Sequence, residues 1–473
     1  MSGLCLAIRL RQSGIDDIVI IEKSDEVGGT WLENDYPNSG CDVPSMLYSF
    51  SFAPYYDWTW KYARQPEILQ YFRDVADRFD VRQHICFGQC VTDARYDESA
   101  KHWHVTLDDG SERTTDYFVS AVGQLNRPRI PKIDGAESFE GKTWHSARWD
   151  FQSDLTGKNV AIIGNGASTI QFIPGTAEKA GRLYLFQRSA SWIHPLHNYR
   201  YPGWAKWCFH HLPLAAKLHR LWIFLMCEWR IIAFRENSLA NRIYRWWLTR
   251  KMKSLIRPEM QDQLIPKYAP GCKRILLSAD YLQTVQRPNV TLVTDDVTRF
   301  EPNALCAGDQ AYPVDVVIYG TGFEATGLLQ PMTISGRGGV RLQDAWSGHP
   351  QTLYGLATPG FPNFFMLYGP NTNLGHNSII YMVEAQVNYI LQCINEAEKR
   401  GTPELEVRED AVRAYDSEVQ RSLGTTVWAG DCTSWYKTAD GTIPNNWFAS
   451  AYAYHKRTRT ADFSAWSFQS ADS

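Results

Sequence analysis

Short apolar runs of strand length alternate along this chain with longer stretches in which apolar residues return every three or four positions, a pattern that predicts an α/β protein. Residues 2–8 read as the opening turns of a buried helix, and Asp17-Ile18-Val19-Ile20-Ile21-Glu22 follows as a strand. Helical spacing returns over 65–81. Runs at 90–96 and 102–107 predict two strands, with Asp108-Asp109-Gly110 as a hairpin turn. Residues 117–123 form a strand before a proline-punctuated crossing at 124–131, and a matching strand at 315–323 marks a second crossing. Between the crossings, Asn159-Val160-Ala161-Ile162-Ile163 runs straight into Gly164-Asn165-Gly166 and a helix. Residues 200–260 keep helical periodicity with no strand signal and read as a helical insertion. The loop 367–378 leads into a helix carrying Glu384 and Gln386, and 432–463, with Trp435, closes the fold.

A strand, a Gly-x-Gly turn and a helix in that order seat a dinucleotide pyrophosphate on the helix N-terminus. The next strand of that unit, 182–187, ends in Arg188-Ser189 where an NAD site would carry an acid. A guanidinium binds a 2′-phosphate bidentately, so NADPH is preferred over NADH. Thr169 departs from the small residue usual at the third fingerprint position. A second unit shows in Glu22, placed where a ribose-binding carboxylate belongs, although its first strand and first two glycines are missing and Gly3 would be the third. The expectation is that Met1 is an internal methionine and the natural chain starts upstream; the alternative is a truncated protein that holds its nucleotide poorly. After Glu22, Val27-Gly28-Gly29-Thr30-Trp31-Leu32-Glu33 lets the backbone approach a ligand closely.

Length changes the picture first: 473 residues call for two or more domains. A net charge of −3 gives no reason to expect nucleic acid or another polyanion, which leaves small-molecule chemistry. Ten cysteines without a Cys-x-x-Cys pair argue against a zinc site and a redox-active dithiol, and most are expected reduced and buried. His376 has no second ligand at metal spacing, so a loop hydrogen bond is expected and no metal. The longest apolar run, 221–234, is broken by Glu228 and Arg230, and no secretory leader is seen, so a cytoplasmic enzyme is expected. The basic aromatic faces of 200–260 are assigned to helix packing rather than to a membrane surface.

The segment before the Gly-x-Gly strand reads Phe139-x-Gly141-x-x-x-His145-x-x-x-Trp149-Asp150. This spacing resembles the fingerprint of Baeyer–Villiger monooxygenases, flavoenzymes that insert one oxygen atom of O2 beside a ketone, and the resemblance covers nearly the whole chain. It implies two Rossmann-like domains, one for FAD built from 1–135 and 321–473, and one for NADP at 136–320 whose insertion (about 200–260) covers the active site. It implies FAD contacts at Gly3, Glu22, Gly28, Gly29, Thr30, Trp31, Leu32, Glu33, Asp42, Tyr48, Val91 and Asn371. For NADP it implies Gly40, Cys41, Asp42, Gly164, Asn165, Gly166, Ala167, Ser168, Thr169, Ile170, Gln171, Arg188, Ser189, Lys273 and Arg274. Many relatives carry Arg where Gly40 stands, so any nucleotide contact there is through the backbone.

The resemblance further implies that Arg274 is catalytic, with Asp42 orienting it. Oxygen insertion needs an anionic oxidant to persist, and a guanidinium supplies a fixed positive charge that lends no proton. The partners implied are a ketone and O2, and several stretches resemble fungal members that act in secondary metabolism, including polyketide routes. Two other readings stand beside it. An N- or S-hydroxylating flavin monooxygenase usually lacks the Trp-Asp ending, and a non-catalytic relative would hold no FAD.

Overall fold

The computed structural model describes every residue except Thr326, Asp431, Thr433, Trp435, Ala439, Asp440 and 470–473, so Trp435 of the closing segment lies outside the described residues. The strands that matter to the site are β1 (Ile20–Glu22), β2 (Ile85–Phe87), β3 (Phe118–Ser120), β4 (Lys142–His145), β5 (Asn159–Ile163), β6 (Arg182–Phe186), β7 (Val290–Val293), β8 (Val316–Tyr319) and β9 (Phe364–Met366). The helices are α1 (Ser2–Gln12), α2 (Ala167–Lys179), α3 (Gly203–His211), α4 (Pro213–Trp229), α5 (Leu239–Lys253) and α6 (Ile379–Arg400).

Five strands form one all-parallel sheet in the order β7-β6-β5-β8-β4. From β5 the chain adds β6 and β7 on one side, then crosses to β8 on the other. The order reverses between β5 and β8, and the crevice beyond the carboxyl ends of such strands is where open α/β sheets bind ligands. Gly164 ends β5 at that point and Gly320 follows β8. The fingerprint segment, which no strand signal had marked, is the edge strand β4, paired in parallel with β8 from Lys142↔Val316 to His145↔Tyr319.

The other nucleotide unit holds two parallel pairs, β1 with β2 and β3 with β9. The start of α1 packs on both: a Cβ at Gly3 would lie 3.9 Å from Ile20 Cγ2 and 3.7 Å from Ala121 Cβ. Among the described residues no strand joins the pairs. Beside them lies a mostly antiparallel four-stranded sheet that includes Val91–Asp97 and His102–Leu107, joined to Glu112–Thr115 by the expected turn. The core of this half is α6. Its Ile380, Val383, Val387, Ile390, Ile394 and Ala397 recur at three- and four-residue spacing and are all nearly or fully buried. Each large side chain so buried contributes about 1.5–3 kcal/mol. Lys399 and Arg400 occupy its last turn, favourable against the helix dipole, and Gly401 ends it in the left-handed conformation (φ 64°).

Residues 200–260 are helical as expected, as α3, α4, a 3-10 turn (Arg230–Phe234) and α5. Packing takes up only part of their apolar surface, contrary to the expectation that it would use the aromatic faces. In α4 only Ala216, Ile223 and Cys227 are buried. Most of the ten cysteines are reduced, as expected. Eight are free, but Cys272 and Cys432 form a disulfide across 160 residues of chain, a pairing that no local spacing could reveal.

Candidate active site

Gly164 turns the chain at φ 102°, a conformation costly to any residue with a Cβ, and such a Cβ would lie 2.5 Å from the Gly320 carbonyl oxygen. The turn delivers Gly166 as the N-cap of α2, with no side chain capping the helix. Gly166 and Ala167 are exposed and Ser168 is half-buried, so the first backbone N–H groups of α2 face an open crevice. At the end of β6, Arg188 is exposed and Ser189 accepts a hydrogen bond from the Lys273 ammonium at 2.7 Å. Burial lowers the Lys273 pKa, and the Arg188 charge lowers it further. Two cations at the end of β6 and an uncapped helix N-terminus after the adjacent β5 are groups that could hold a phosphate.

Three residues expected at NADP are buried or bonded within the protein. Thr169 is fully buried and Ile170 nearly so, both beneath the helix and away from the crevice. A Cβ on Gly320 would lie 2.0 Å from Thr169 Oγ1, so a glycine after β8 makes room for the threonine that departs from the fingerprint. Gln171 braces the two halves instead. Its amide donates to the Gly40 carbonyl at 3.0 Å, and its oxygen accepts from Gly40 N at 3.2 Å and from the Tyr36 hydroxyl at 3.0 Å. The backbone of Gly40 is therefore engaged by protein rather than left for the dinucleotide. A Cβ there would lie 3.0 Å from the Ala63 carbonyl oxygen, so a larger residue would need that backbone to give by a few tenths of an ångström.

That brace brings Cys41 and Asp42 under the loop that carries Lys273 and Arg274. The Asp42 carboxylate accepts two bonds from Arg274, at 3.1 Å from Nε and 2.5 Å from Nη2. The Asp42 charge raises the Arg274 pKa above its already high value and outweighs the opposing effect of burial. Burial pushes the Cys41 thiol up, and Asp42 adds to it. Tyr368 and Tyr436 lie within electrostatic reach of Arg274; burial raises both hydroxyls, that of Tyr436 to about 12, so both stay protonated donors. The disulfide at Cys272 and the packing of Phe234 against Gly271 hold the Lys273-Arg274 loop from either side.

The sequence singled out the 367–378 loop without resolving its wiring. Tyr368 Oη donates to Asn373 Oδ1 at 2.7 Å, and Asn373 Nδ2 donates to Asn446 Oδ1 at 2.7 Å. Gln124, at the first crossing, donates to the Tyr368 and Gly369 carbonyls, each at 3.0 Å. Asn371, expected at the flavin, fastens this loop: its amide donates to the Ile443 and Asn446 carbonyls and its N–H to that of Pro444. Two buried atoms of this wall, Gln124 Oε1 and Asn446 Nδ2, have no partner among the described residues. Each such atom costs about 1–3 kcal/mol if left unmet, so the wall fits a ligand edge that both donates and accepts.

Other residues expected at the flavin lie on β1 and in the segment that follows it. Glu22 ends the strand and accepts from Ser24 N at 2.9 Å, while Gln89, two residues before Val91, donates to the Glu22 carbonyl at 3.1 Å. Gly28 and Gly29 turn into a short helical turn of Thr30, Trp31, Leu32 and Glu33. Thr30 is exposed, whereas Trp31 is buried and donates from its indole to the Tyr48 hydroxyl at 3.1 Å. Glu33 is paired with Lys23 at 2.8 Å and lies 3.5 Å from Arg148 of the linker.

The fingerprint is structural. A Cβ at Gly141 would lie 2.4 Å from the Asp315 carbonyl oxygen, and Phe139 packs edge-on against Phe300. His145 is buried, with Nδ1 accepting from Ala147 N at 3.1 Å; burial depresses its pKa to about 4, so the ring is neutral. Trp149 packs on Phe172 of α2, and Asp150 accepts from Gln152 N and Ser153 Oγ. These residues fix β4 beside the second crossing, near Phe323.

His376 makes a side-chain contact. It lies 3.3 Å from Glu228 of α4, which also accepts from Asn377 at 2.7 Å and from Ala451 N and Tyr452 N. Burial alone would raise the Glu228 carboxyl, but His376, Tyr452 N and Asn377 together hold it at about 2. A carboxyl so depressed stabilises the fold above its unfolded value, about 4.3, and loses that contribution as pH falls towards 2. The stability gap between wild type and Glu228→Gln should thus be widest above pH about 4.5 and close on acidification. Chemical denaturation across that range checks this, and a gap unchanged with pH would rule the account out.

Comparison with known proteins places this geometry. A family model described as flavin-binding monooxygenase-like matches residues 2–329. The FAD-binding monooxygenase ktnD of Aspergillus niger is 37% identical over 98% of this chain and 80% of its own length. A Baeyer-Villiger monooxygenase of Pseudomonas aeruginosa is 37% identical over 98% of this chain and 89% of its own. Among solved structures, an oxidized steroid monooxygenase bound to NADP superposes with a TM-score of 0.89 at 30% identity, covering 99% of this chain and 97% of that one. The cyclohexanone monooxygenase of Rhodococcus sp. Phi1 bound to NADP+ gives 0.88 at 27% identity with the same coverage.

Proposed function

The chain belongs to the flavin-binding monooxygenase-like family, and from that premise we propose that its site performs a Baeyer–Villiger oxidation, converting a ketone with O2 and NADPH into an ester or lactone. One observation carries this choice within the family: Arg274 stands as a fixed cation on Asp42, between the phosphate-type site of Lys273 and the polar wall of Tyr368. Hydroxylation of nitrogen or sulfur would be served by a proton donor at that place, and arginine is a poor one.

FAD fits the wall of Gln124 and Asn446 and the surface of Glu22 and Gly29, and when bound it supplies the electrons that activate O2. Residues 1–135 and 321–473 form its domain in this reading, and 136–320 that of NADP. Lys273, Arg188 and the N-terminus of α2 would hold the phosphates. Arg274 stabilises the negative charge that develops on the attacking and carbonyl oxygens, and Asp42 keeps the guanidinium aimed while moderating its charge. Tyr368, whose hydroxyl proton goes to Asn373, and Tyr436 both stay protonated near neutral pH and so bring no negative charge to oppose that of Arg274. A bulky apolar ketone from a secondary-metabolite route is the substrate class we favour, given ktnD among the relatives.

The test is product analysis with the purified chain, NADPH and paired ketone and amine substrates; ester from the ketone is expected, and an N-oxide with no ester would transfer the chain to the hydroxylating class. In the same assay Arg188→Ala with Lys273→Ala should reduce the preference for NADPH over NADH by about a hundredfold or more, since each charge-assisted bond contributes roughly 1.5–3 kcal/mol. An unchanged preference would remove both from phosphate binding.

A further inference from the structure

The insertion carries an apolar surface that its own fold leaves uncovered. Among the described residues, fifteen of the 22 exposed large hydrophobics fall within residues 203–257. Along α4, Leu214, Leu218, Trp222, Leu225 and Trp229 recur every three or four positions on the side opposite the buried Ala216, Ile223 and Cys227. Trp222 is 61% and Trp229 72% exposed, and on α5 Trp246 is 64% exposed. Helices of soluble proteins turn such a stripe inward. A continuous exposed patch of this kind marks a contact surface.

Charge identifies what the surface contacts. Residues 203–257 hold eleven Lys and Arg against two acids, Glu228 and Glu236, in a chain whose net charge is −3. The segment therefore carries a surplus of nine positive charges, and the rest of the chain a net −12. Glu228 is turned inward to Asn377 and Tyr452. On α5, Arg242, Arg245, Trp246, Thr249, Arg250 and Lys253 line a shallow pocket of about 570 Å³ with no acid in its lining.

We propose that α3, α4 and α5 form a docking face for the surface of an anionic phospholipid bilayer. Exposed Trp and Leu would enter the headgroup boundary while the neighbouring Arg and Lys meet lipid phosphates, the composition of an interfacial amphipathic helix. A second copy of this chain is the poorer occupant, because a two-fold contact would set one strongly basic face against its twin. Among the described residues no helix is long and apolar enough to cross a membrane, so the contact is with one leaflet. On its buried side the insertion meets the Arg274 loop, with Phe234 packed against Gly271.

Vesicle flotation of the full chain decides the matter, using phosphatidylcholine alone and phosphatidylcholine with about 30 mol% phosphatidylserine. Binding to the anionic vesicles, weaker at high salt and slight on the neutral ones, is expected. Replacing three cations, Arg242→Ala, Arg250→Ala and Lys253→Ala, should lower partitioning roughly a hundredfold, at about 1 kcal/mol per cation. Trp222→Asp with Leu225→Asp should also abolish it, and each variant should retain wild-type turnover of a water-soluble ketone. Failure to bind anionic vesicles overturns the proposal, as does binding that neither variant reduces. A dimer in light scattering that Trp222→Asp dissociates, without vesicle binding, would reassign the face to a second copy.

Discussion

Replacing Arg274 by alanine should suppress ester formation by about a hundredfold or more while leaving anaerobic NADPH oxidation nearly intact. The split follows from where the residue sits. Its guanidinium is engaged by Asp42 and faces two protonated tyrosines, whereas the cations beside the uncapped helix are Lys273 and Arg188. Removal takes away charge stabilisation needed only when negative charge moves onto oxygen, and leaves the phosphate site in place. Arg274→Lys should recover a minor part of the activity, since an ammonium offers one point of charge and cannot reproduce the two-bond contact with Asp42. Rapid-mixing absorbance and product yield measure the two halves separately. Equal losses in both would mean that Arg274 acts on cofactor binding, and equal ester yields would remove it from the mechanism.

Gly320→Ala should disturb the cofactor crevice with a single methyl group. The added carbon would sit 2.0 Å from Thr169 Oγ1 and 3.3 Å from the Gly164 carbonyl oxygen, at the reversal point of the sheet. Both neighbours belong to rigid elements, the first turn of α2 and the end of β5, so relief requires moving the turn that presents the helix N-terminus. A loss of about 3 kcal/mol, with a matching rise in KM for NADPH, is expected from overpacking at such a site. Thr169→Ala should rescue most of it, because deleting the hydroxyl vacates the place the new carbon needs. Additive losses in the double variant, read by thermal unfolding and NADPH titration, would show that the two residues do not share this space.

The nucleotide turn at Gly164–Gly166 was legible because its signal is local: an apolar strand, a Gly-x-Gly and a helix adjacent in sequence. Arg188 and Lys273 were named with it, yet the bond that joins Lys273 to Ser189 spans 84 residues. Thr169 looked like a flaw in the fingerprint until Gly320 was seen against it. Gln171 and Asn371 were read as cofactor contacts because they stand beside the right motifs. Their amides are instead consumed by the protein's own backbone, at Gly40 and at Ile443 and Asn446. Position next to a motif does not tell which way a side chain turns.

The periodicity of the chain alone determined its α/β class, the helical character of the insertion and the chemistry available at each turn, since backbone preference and amphipathic spacing act within a few residues. Tertiary structure decided the pairings: Arg274 with Asp42 across 232 residues, Gln171 with Gly40 across 131 and Cys272 with Cys432 across 160. It also decided that the aromatic stripe of α4 faces outward. A helix buries whichever face the rest of the molecule covers, and the sequence of the helix itself carries no record of that choice.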